Sequence, residues 1–267
     1  MSETTPFAKG HGTGNDFVVV PDPDARLSLP PARVAAICDR HHGVGGDGLL
    51  RVVRTAAHPE VAHRAGEAEW FMDYRNADGS LAQMCGNGAR VFARYLVESG
   101  LARGPQVSIL TRAGLVAATV DDGTVSVTMP RPAVGAPGVA RVSGVEFKGT
   151  SVVCGNPNLV CRVDDVAALD LSGVPEFDPE QFPDRANVEF VAPVAASHVR
   201  MRVIERGVGE TLSCGSGACA VAGVVLSGGS GSVVVDVPGG RLTVAIDESG
   251  CILTGAAVLV ATGTLLL

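Results

Sequence analysis

The sequence predicts an α+β protein built from two similar domains, each rich in short β-strands and each carrying a helix directly after a cysteine. Short runs of β-branched and apolar residues recur through both halves and are separated by turn residues, which is typical of hairpin-rich sheets. The pattern Cys-Gly-polar-Gly-Ala occurs twice, at residues 85–89 and 214–218, which are 129 positions apart (214 − 85). A repeat this long predicts two homologous domains rather than a solenoid of short units.

The first half contains a series of predicted strands and two predicted helices. The strands are 17–20, 48–53, 69–74, 107–111, 115–120 and 125–129, with Asp-Gly turns at 78–79 and 121–123. Pro30 and Pro31 favour the start of a helix that runs to residue 40 and is stopped by Gly43. A second helix is predicted at 88–98, directly after the first cysteine.

The second half repeats this style. Its predicted strands are 188–191, 199–205, 233–237, 242–246 and 258–260, with hairpin turns at 238–240 and 248–250. A helix is predicted at 217–226, and its nearly uniform apolar composition indicates that it is buried. The segment 129–138 is rich in proline and glycine and lies at the midpoint, so it predicts a linker.

Composition, charge and cysteine content favour a cytoplasmic protein that binds neither nucleic acid nor a membrane. The 267 residues carry a net charge of −7 and no run of Lys or Arg, which argues against binding nucleic acid or an anionic membrane. The first ten residues lack an apolar signal segment, and no stretch approaches the roughly 20 apolar residues of a membrane span. The odd number of cysteines, seven, indicates reduced thiols, and neither they nor the histidines show the spacing of metal ligands.

The repeated motif carries specific chemistry. Glycines after each cysteine allow a tight turn and leave backbone N–H groups unobstructed at the start of a helix. These N–H groups and the helix dipole favour a bound carboxylate. The same field favours a thiolate, so we expect each cysteine to have a lowered pKa.

A single motif of this kind is more often a glycine-rich turn that contains a buried, inert cysteine. Two copies related by duplication favour a catalytic pair, because inversion at a carbon needs a base on one face and an acid on the other. The only lysines, Lys9 and Lys148, lie in no motif for pyridoxal phosphate. We therefore expect a cofactor-independent amino-acid epimerase with Cys85 and Cys214 as its two acid–base groups.

Several longer motifs resemble those of the diaminopimelate epimerase family. They are FAKGHGTGNDF at 7–17, NADGS at 76–80, MCGNGAR at 84–90, GNP at 155–157, ANVEF at 186–190 and ERGVGETLSCGSGA at 205–218. The resemblance spans nearly the whole chain, and the combination is far more specific than any one motif.

The resemblance implies two pseudo-symmetric domains, each a curved, mostly antiparallel, barrel-like β-sheet wrapped around a central helix. The first domain covers residues 1–130 and regains a C-terminal strand at 256–267, and the second covers 131–255. The implied activity interconverts LL- and meso-diaminopimelate for lysine and peptidoglycan biosynthesis, without metal or cofactor, in an enzyme that forms a homodimer.

The resemblance also implies roles for individual residues. Cys85 and Cys214 match the two catalytic cysteines of the family. The positions that match substrate-binding side chains are Asn15, Asn76, Asn156, Asn187, Glu205 and Arg206. The positions that match backbone donors to the reacting carboxylate are Gly86, Asn87, Gly215 and Ser216.

Three positions depart from the family pattern. Gly48 stands where a glutamine usually reaches the substrate, and Asn158 stands where a histidine helps to activate one thiol. Ala261 replaces an aromatic residue linked to dimer formation, which weakens the homodimer prediction.

Two other functions fit parts of the pattern. A proline racemase-like enzyme would share the two cysteines but would not need Asn76, Asn187, Glu205 and Arg206 at the distal end of a substrate. A non-catalytic anion-binding protein would use the glycine-rich turns and leave both thiols unreactive. Exchange of the substrate α-proton with solvent is expected for the epimerase and for the racemase, but not for the anion-binding protein.

Overall fold

The structure is a computed structural model that describes residues 4–266. Its strands are β1 (Thr4–Gly12), β2 (Asn15–Pro21), β3 (Gly48–Arg54), β4 (Trp70–Asn76), β5 (Gln106–Thr111), β6 (Gly114–Val120), β7 (Thr124–Met129), β8 (Ala133–Val142), β9 (Val145–Cys154), β10 (Asn156–Arg162), β11 (Glu176–Phe177), β12 (Asn187–Ala195), β13 (His198–Glu205), β14 (Gly209–Thr211), β15 (Gly231–Val237), β16 (Gly240–Asp247), β17 (Gly250–Ala256) and β18 (Val258–Leu266). The α-helices in this range are α1 (Pro31–Cys38), α2 (Gly86–Glu98) and α3 (Gly215–Val225). The chain divides into two compact units: unit 1 contains residues 4–127 and 256–266, and unit 2 contains residues 128–255.

Unit 1 is a mixed sheet in which antiparallel pairs predominate. β1 pairs antiparallel with both β2 and β18. Parallel pairs join β2 to β3 and β4 to β5, and the connections between their strands contain α1 and α2, respectively. The pairs β3–β4, β5–β6 and β6–β7 are antiparallel.

Unit 2 repeats the same order of pairings. β9 pairs antiparallel with both β8 and β10, as β1 does with β18 and β2 in unit 1. Two pairs are parallel, as in unit 1. Here β10–β12 corresponds to β2–β3, and β13–β15 corresponds to β4–β5. The pairs β12–β13, β15–β16 and β16–β17 are antiparallel.

Each unit has one central helix. α2 contacts β1 to β6 and β18, and α3 contacts β8, β9, β10, β12, β15 and β16. Small residues make this close packing feasible, since nearly the whole of α3 up to Gly223 is buried glycine, alanine, cysteine and valine. The predicted fold class, with a mostly antiparallel sheet around a central helix in each of two similar domains, is confirmed.

The strands next to the central helices are buried on both faces. In unit 1, Val18 and Leu49 pack on the far side of the sheet against a cluster that includes Val34 and Ile37 of α1. In unit 2, Val188 and Phe190 of β12 belong to the equivalent cluster on the far side from α3. The strand ends that precede the two cysteine loops are therefore held from both sides.

Three predictions about local structure need correction. The segment 129–138 is not a free linker, because β8 begins at Ala133 and pairs with β9, with a register irregularity between Val134 and Pro137. Helix α1 ends at Cys38 rather than at residue 40. Both cysteine helices begin two residues earlier than predicted, at Gly86 and Gly215.

Candidate active site

Cys85 is the residue that immediately precedes α2. Its backbone is extended (φ −140°, ψ 122°), and its sulfur accepts a hydrogen bond from the N–H of Gly88 at 3.4 Å. This contact satisfies one of the N–H groups that have no partner within the helix. Gly86 and Asn87 form the first turn of α2, so the prediction that Cys85 lies at the start of a helix is confirmed.

Asn15, at the start of β2, lies directly beside Cys85. Its Oδ1 accepts a hydrogen bond from the Cys85 thiol at 3.7 Å and from Nδ2 of Asn87 at 3.2 Å. Its Nδ2 donates to Oδ2 of Asp47 at 2.7 Å. Asn15 therefore forms one hydrogen-bonded group with Cys85 and Asn87, which lie 70 and 72 positions further along the chain.

Arg90 supports this group from inside the helix. It is fully buried, and its Nη2 donates to Oδ1 of Asn87 at 3.0 Å and to Oγ1 of Thr13 at 2.6 Å. The sequence analysis did not assign it a role. A signal was available, because Arg90 is a charged residue that directly follows the cysteine motif, within a helix whose buried residues are mostly apolar.

Asn76 and Gly48 lie opposite each other at the paired ends of β3 and β4. Nδ2 of Asn76 donates a hydrogen bond to Oγ of Ser80 at 3.0 Å. A Cβ atom built at Gly48 would lie 2.6 Å from the carbonyl oxygen of Arg75 and 2.8 Å from Cε2 of Tyr74. The family's glutamine therefore does not fit at Gly48 unless the backbone moves.

Cys214 precedes α3 in the same way, with φ −125° and ψ 119°. It is only 5% exposed, and its sulfur lies 3.4 Å from Oγ of Ser216. Burial raises the pKa of the Cys214 thiol well above its ordinary value, and the carboxyl groups of Glu205 and Glu189 raise it further. The expectation of a lowered pKa is wrong for Cys214, because hydrogen bonds from Ser216 and the Gly217 N–H do not offset burial.

Asn187 joins Cys214 to Asn158. Its Nδ2 lies 3.9 Å from the Cys214 sulfur and 3.2 Å from Oδ1 of Asn158, to which it donates. Its Oδ1 accepts from the backbone N–H of Arg206 at 2.9 Å. Asn158 is fully buried and donates to the carbonyl oxygens of Val152 and Asn156, so it orients Asn187 where the family usually has a histidine.

The other predicted residues of unit 2 lie at the ends of strands and at the start of α3. Glu205 ends β13, and its Oε1 accepts from Oγ1 of Thr211 at 2.6 Å. The Arg206 side chain is exposed, with Nη1 donating to the carbonyl oxygen of Asp184 at 3.2 Å. Asn156 is exposed at the start of β10, and Gly215 is the first residue of α3.

Glu189 is a buried acid that the sequence analysis did not single out. Its side chain is fully buried, and neither carboxyl oxygen has a hydrogen-bond partner within the described part of the chain. Burial raises the pKa of Glu189 well above its ordinary value, and the neighbouring Glu205 raises it further.

Comparison with known proteins assigns the chain to a family. The sequence model of the family described as "Diaminopimelate epimerase" matches residues 7–134 and 150–260. The chain belongs to the diaminopimelate epimerase family. It is 50% identical to a diaminopimelate epimerase of Streptomyces coelicolor, over 98% of this chain and 96% of that protein. It is also 50% identical to one of Thermobifida fusca, over 96% of each chain. Family membership makes the chain an epimerase, and hence an isomerase.

Solved structures share the fold at much lower identity. One is a PhzF-family phenazine biosynthesis protein of Bacillus anthracis, with a TM-score of 0.71, 16% identity and coverage of 99% of this chain and 100% of that chain. Another is a hydroxyproline epimerase of Agrobacterium vitis with bound trans-4-hydroxy-L-proline, with a TM-score of 0.67, 15% identity and coverage of 99% and 93%. At these identities the two structures show that this chain shares their fold, and they say nothing about its substrate.

No helix within residues 4–266 is long and apolar enough to cross a membrane. Over the same range, no group of three or more His, Cys, Asp and Glu side chains has an arrangement that could hold a metal ion.

Proposed function

We propose that this chain interconverts LL- and meso-diaminopimelate by a two-base mechanism in which Cys85 and Cys214 exchange the α-proton. The observation that carries the proposal is the matched position of the two cysteines. Each unit places one cysteine immediately before its central helix, followed by the same glycine-rich first turn. Family membership and the relatives' names support diaminopimelate as the substrate.

The proton balance of this reaction requires both thiols. One sulfur, as thiolate, removes the α-proton, and the electron pair stays on the α-carbon as a carbanion. The other sulfur, as thiol, donates its proton to the opposite face, so the two sulfurs exchange states and the total number of protons is unchanged.

The carbanion needs stabilisation by groups that are already oriented. We propose that the first turns of α2 and α3 bind the reacting carboxylate through the N–H groups of Gly86, Asn87, Gly215 and Ser216. Helix N-termini favour negative charge, so this clamp would withdraw electron density where the carbanion develops.

We assign the distal, non-reacting end of the substrate to Asn76, Asn156, Asn187, Glu205 and Arg206. The exposed guanidinium of Arg206 has further N–H groups besides the one that donates to Asp184. Diaminopimelate has a second carboxylate and a second amino group, which suit an arginine and a glutamate, respectively. Asn15 would contact the reacting end, since it lies beside Cys85.

The biological setting follows from the proposed reaction. Its product, meso-diaminopimelate, supplies lysine and peptidoglycan precursors, so we propose a cytoplasmic enzyme. We propose no nucleic-acid partner. The homodimer remains a prediction from the family resemblance, and light scattering of the purified chain would test it.

One experiment tests the activity directly. The purified protein is incubated with LL-diaminopimelate in deuterium oxide, and the product is analysed by mass spectrometry and NMR spectroscopy. The expected result is meso product that carries deuterium at the inverted α-carbon. The absence of both inversion and α-exchange would overturn the proposal and favour the anion-binding alternative. Inversion of proline at a comparable rate would favour the racemase alternative.

A further inference from the structure

We infer that Asp47 is a positioning residue that fixes the amide orientation of Asn15 and thereby directs the thiol proton of Cys85. The inference rests on the proposed function, in which Cys85 is one of the two proton-transfer groups. Asp47 directly precedes β3, and Asn15 begins β2, the parallel neighbour of β3.

The carboxylate of Asp47 accepts hydrogen bonds on two sides. Its Oδ2 accepts from Nδ2 of Asn15 at 2.7 Å and from the backbone N–H of Asp16 at 3.1 Å. Its Oδ1 accepts from Nη2 of Arg40 at 2.7 Å. An ionised carboxylate can only accept, so Asn15 must present its NH₂ group to Asp47 and its oxygen to the opposite side.

The opposite side specifies the same orientation independently. Oδ1 of Asn87 accepts from the buried Arg90, so the NH₂ group of Asn87 faces Asn15 and requires an acceptor there. A guanidinium at one end and a carboxylate at the other thus fix the direction of both amides. The Asn15 oxygen is then the acceptor that the Cys85 thiol meets at 3.7 Å.

Arg40, the ion-pair partner of Asp47, is itself held in place by Asp16. Arg40 donates to both carboxylate oxygens of Asp16, at 2.7 and 3.1 Å, and Lys9 pairs with the same carboxylate. Burial alone would raise the pKa of Asp16, but the hydrogen bonds from Arg40 and Lys9 hold it below its usual range. The side chains of Arg40 and Asp47 are 55% and 45% exposed, so their ion pair contributes little to stability and acts mainly through orientation.

Reversal of the Asn15 amide would change the chemistry of Cys85. An NH₂ group beside the sulfur cannot accept the thiol proton and stabilises the thiolate instead. Asp47 therefore keeps Cys85 able to hold its proton in a defined direction, which it must do in every turnover in which it acts as the acid.

A double-mutant cycle tests this relationship. The variants are Asp47→Asn, Asn15→Ala and the double variant, compared with the wild type by kcat/KM for diaminopimelate. An asparagine at 47 can accept from only one of its two sides, so the Asn15 amide loses its fixed orientation. We expect Asp47→Asn to lower kcat/KM by about 100-fold, the order of loss that misplacement of a reacting group produces. In the Asn15→Ala background, the same substitution should cost nothing further.

A second measurement separates positioning from damage to the fold. Iodoacetamide alkylation at fixed pH, followed by peptide mapping, reports on each cysteine individually. Asp47→Asn and Asn15→Ala should both speed alkylation of Cys85 and leave Cys214 unchanged. Asp24→Asn is the matched control, because Asp24 is also an exposed aspartate of unit 1 paired with an arginine, Arg54, and has no contact with Asn15.

Equal losses for Asp47→Asn in the two backgrounds would overturn the inference, as would an Asp47→Asn enzyme within about twofold of wild type. If Asp47→Asn does not fold, Arg40→Gln replaces it in the same cycle, with a smaller loss that must also vanish beside Asn15→Ala. If the wild type does not epimerise diaminopimelate, the proposed function fails. The alkylation pattern then decides the Asp47–Asn15 relationship by itself.

Discussion

Gly217 lies directly against the carboxyl group of Glu189, since a Cβ atom built at Gly217 would lie 2.6 Å from Oε1 of Glu189. In unit 1, the equivalent glycine is Gly88, and a Cβ atom there would lie 3.3 Å from Cδ2 of Leu50. The strand pairings make Leu50 and Glu189 equivalent. Leu50 pairs with Tyr74 and Glu189 pairs with Val203, and each of these partners lies 11 positions before the cysteine of its unit (85 − 74 and 214 − 203). The fold accepts leucine at this place, so the buried acid is a feature of unit 2 alone.

This contact predicts that Gly217→Ala destabilises the protein. Alanine in a helix normally favours stability over glycine, but here its methyl group would have to displace Glu189 or the start of α3. Overpacking of this kind typically costs about 1–3 kcal/mol, and urea unfolding would measure it. Glu189→Ala in the same chain should relieve the contact. Gly104→Ala is the control, because no atom lies within 4 Å of its added Cβ. A Gly217→Ala variant as stable as wild type would contradict the close contact.

Glu189 also predicts a specific dependence of stability on pH. Burial raises the pKa of Glu189 in the folded state, so above the ordinary glutamate pKa the folded chain binds a proton that the unfolded chain has released. This stabilising contribution is complete below the unfolded pKa and is lost as pH rises towards the folded pKa, at up to about 1.4 kcal/mol per pH unit. Glu189→Leu should therefore gain stability over wild type progressively as pH rises from about 4. Unfolding of both proteins across this range tests it, and a pH-independent difference would show that the acid is not buried and unpaired.

The sequence was sufficient to predict the elements whose signals are local. Both cysteine helices, and the hairpin turns at 238–240 and 248–250, are where glycines and turn residues indicated them. The duplicated motif predicted two similar units, and the two units have the same order of strand pairings. The strand β8 was missed because it contains Gly135, Pro137 and Gly138, which normally interrupt strands.

The unpredicted parts of the candidate site depend on contacts between distant residues. Nothing in the local sequence relates Asp47 to Asn15, which meet only because β2 and β3 lie side by side. Glu189 alternates with Val188 and Phe190, a pattern typical of a strand with one face in solvent. In the structure that second face lies against α3, so the acid is buried. The raised pKa of Cys214 has the same origin, because the helix dipole is local whereas burial depends on the whole unit.

Removal of either cysteine should abolish epimerisation without unfolding the chain. General acid–base groups typically contribute about 10²- to 10⁴-fold, and inversion requires both thiols. Cys85→Ala and Cys214→Ala should each lose activity on this order, measured as formation of meso from LL-diaminopimelate. Cys38→Ala, a buried cysteine of unit 1 outside the site, should remain active, and circular dichroism checks the fold of all three. If either site variant kept more than a few per cent of activity, the two-thiol mechanism would be wrong.

Arg206 should determine specificity for a substrate with a distal carboxylate. Its guanidinium is exposed in the free chain and has donors available besides the one bonded to Asp184. Hydrogen bonds to charged groups contribute about 1.5–3 kcal/mol, so Arg206→Ala should lower kcat/KM for diaminopimelate by about 10- to 100-fold. Arg206→Lys should recover only part of this loss, because an ammonium group cannot reproduce the two-pronged geometry of the guanidinium. Arg200→Ala, which removes another exposed arginine, on β13, should leave kcat/KM unchanged. The wild type should turn over lysine poorly, and proline and alanine not measurably, since none of them offers a carboxylate to Arg206. Steady-state rates for diaminopimelate, lysine, proline and alanine test this prediction. Comparable turnover of proline and diaminopimelate would show that Arg206 does not determine specificity.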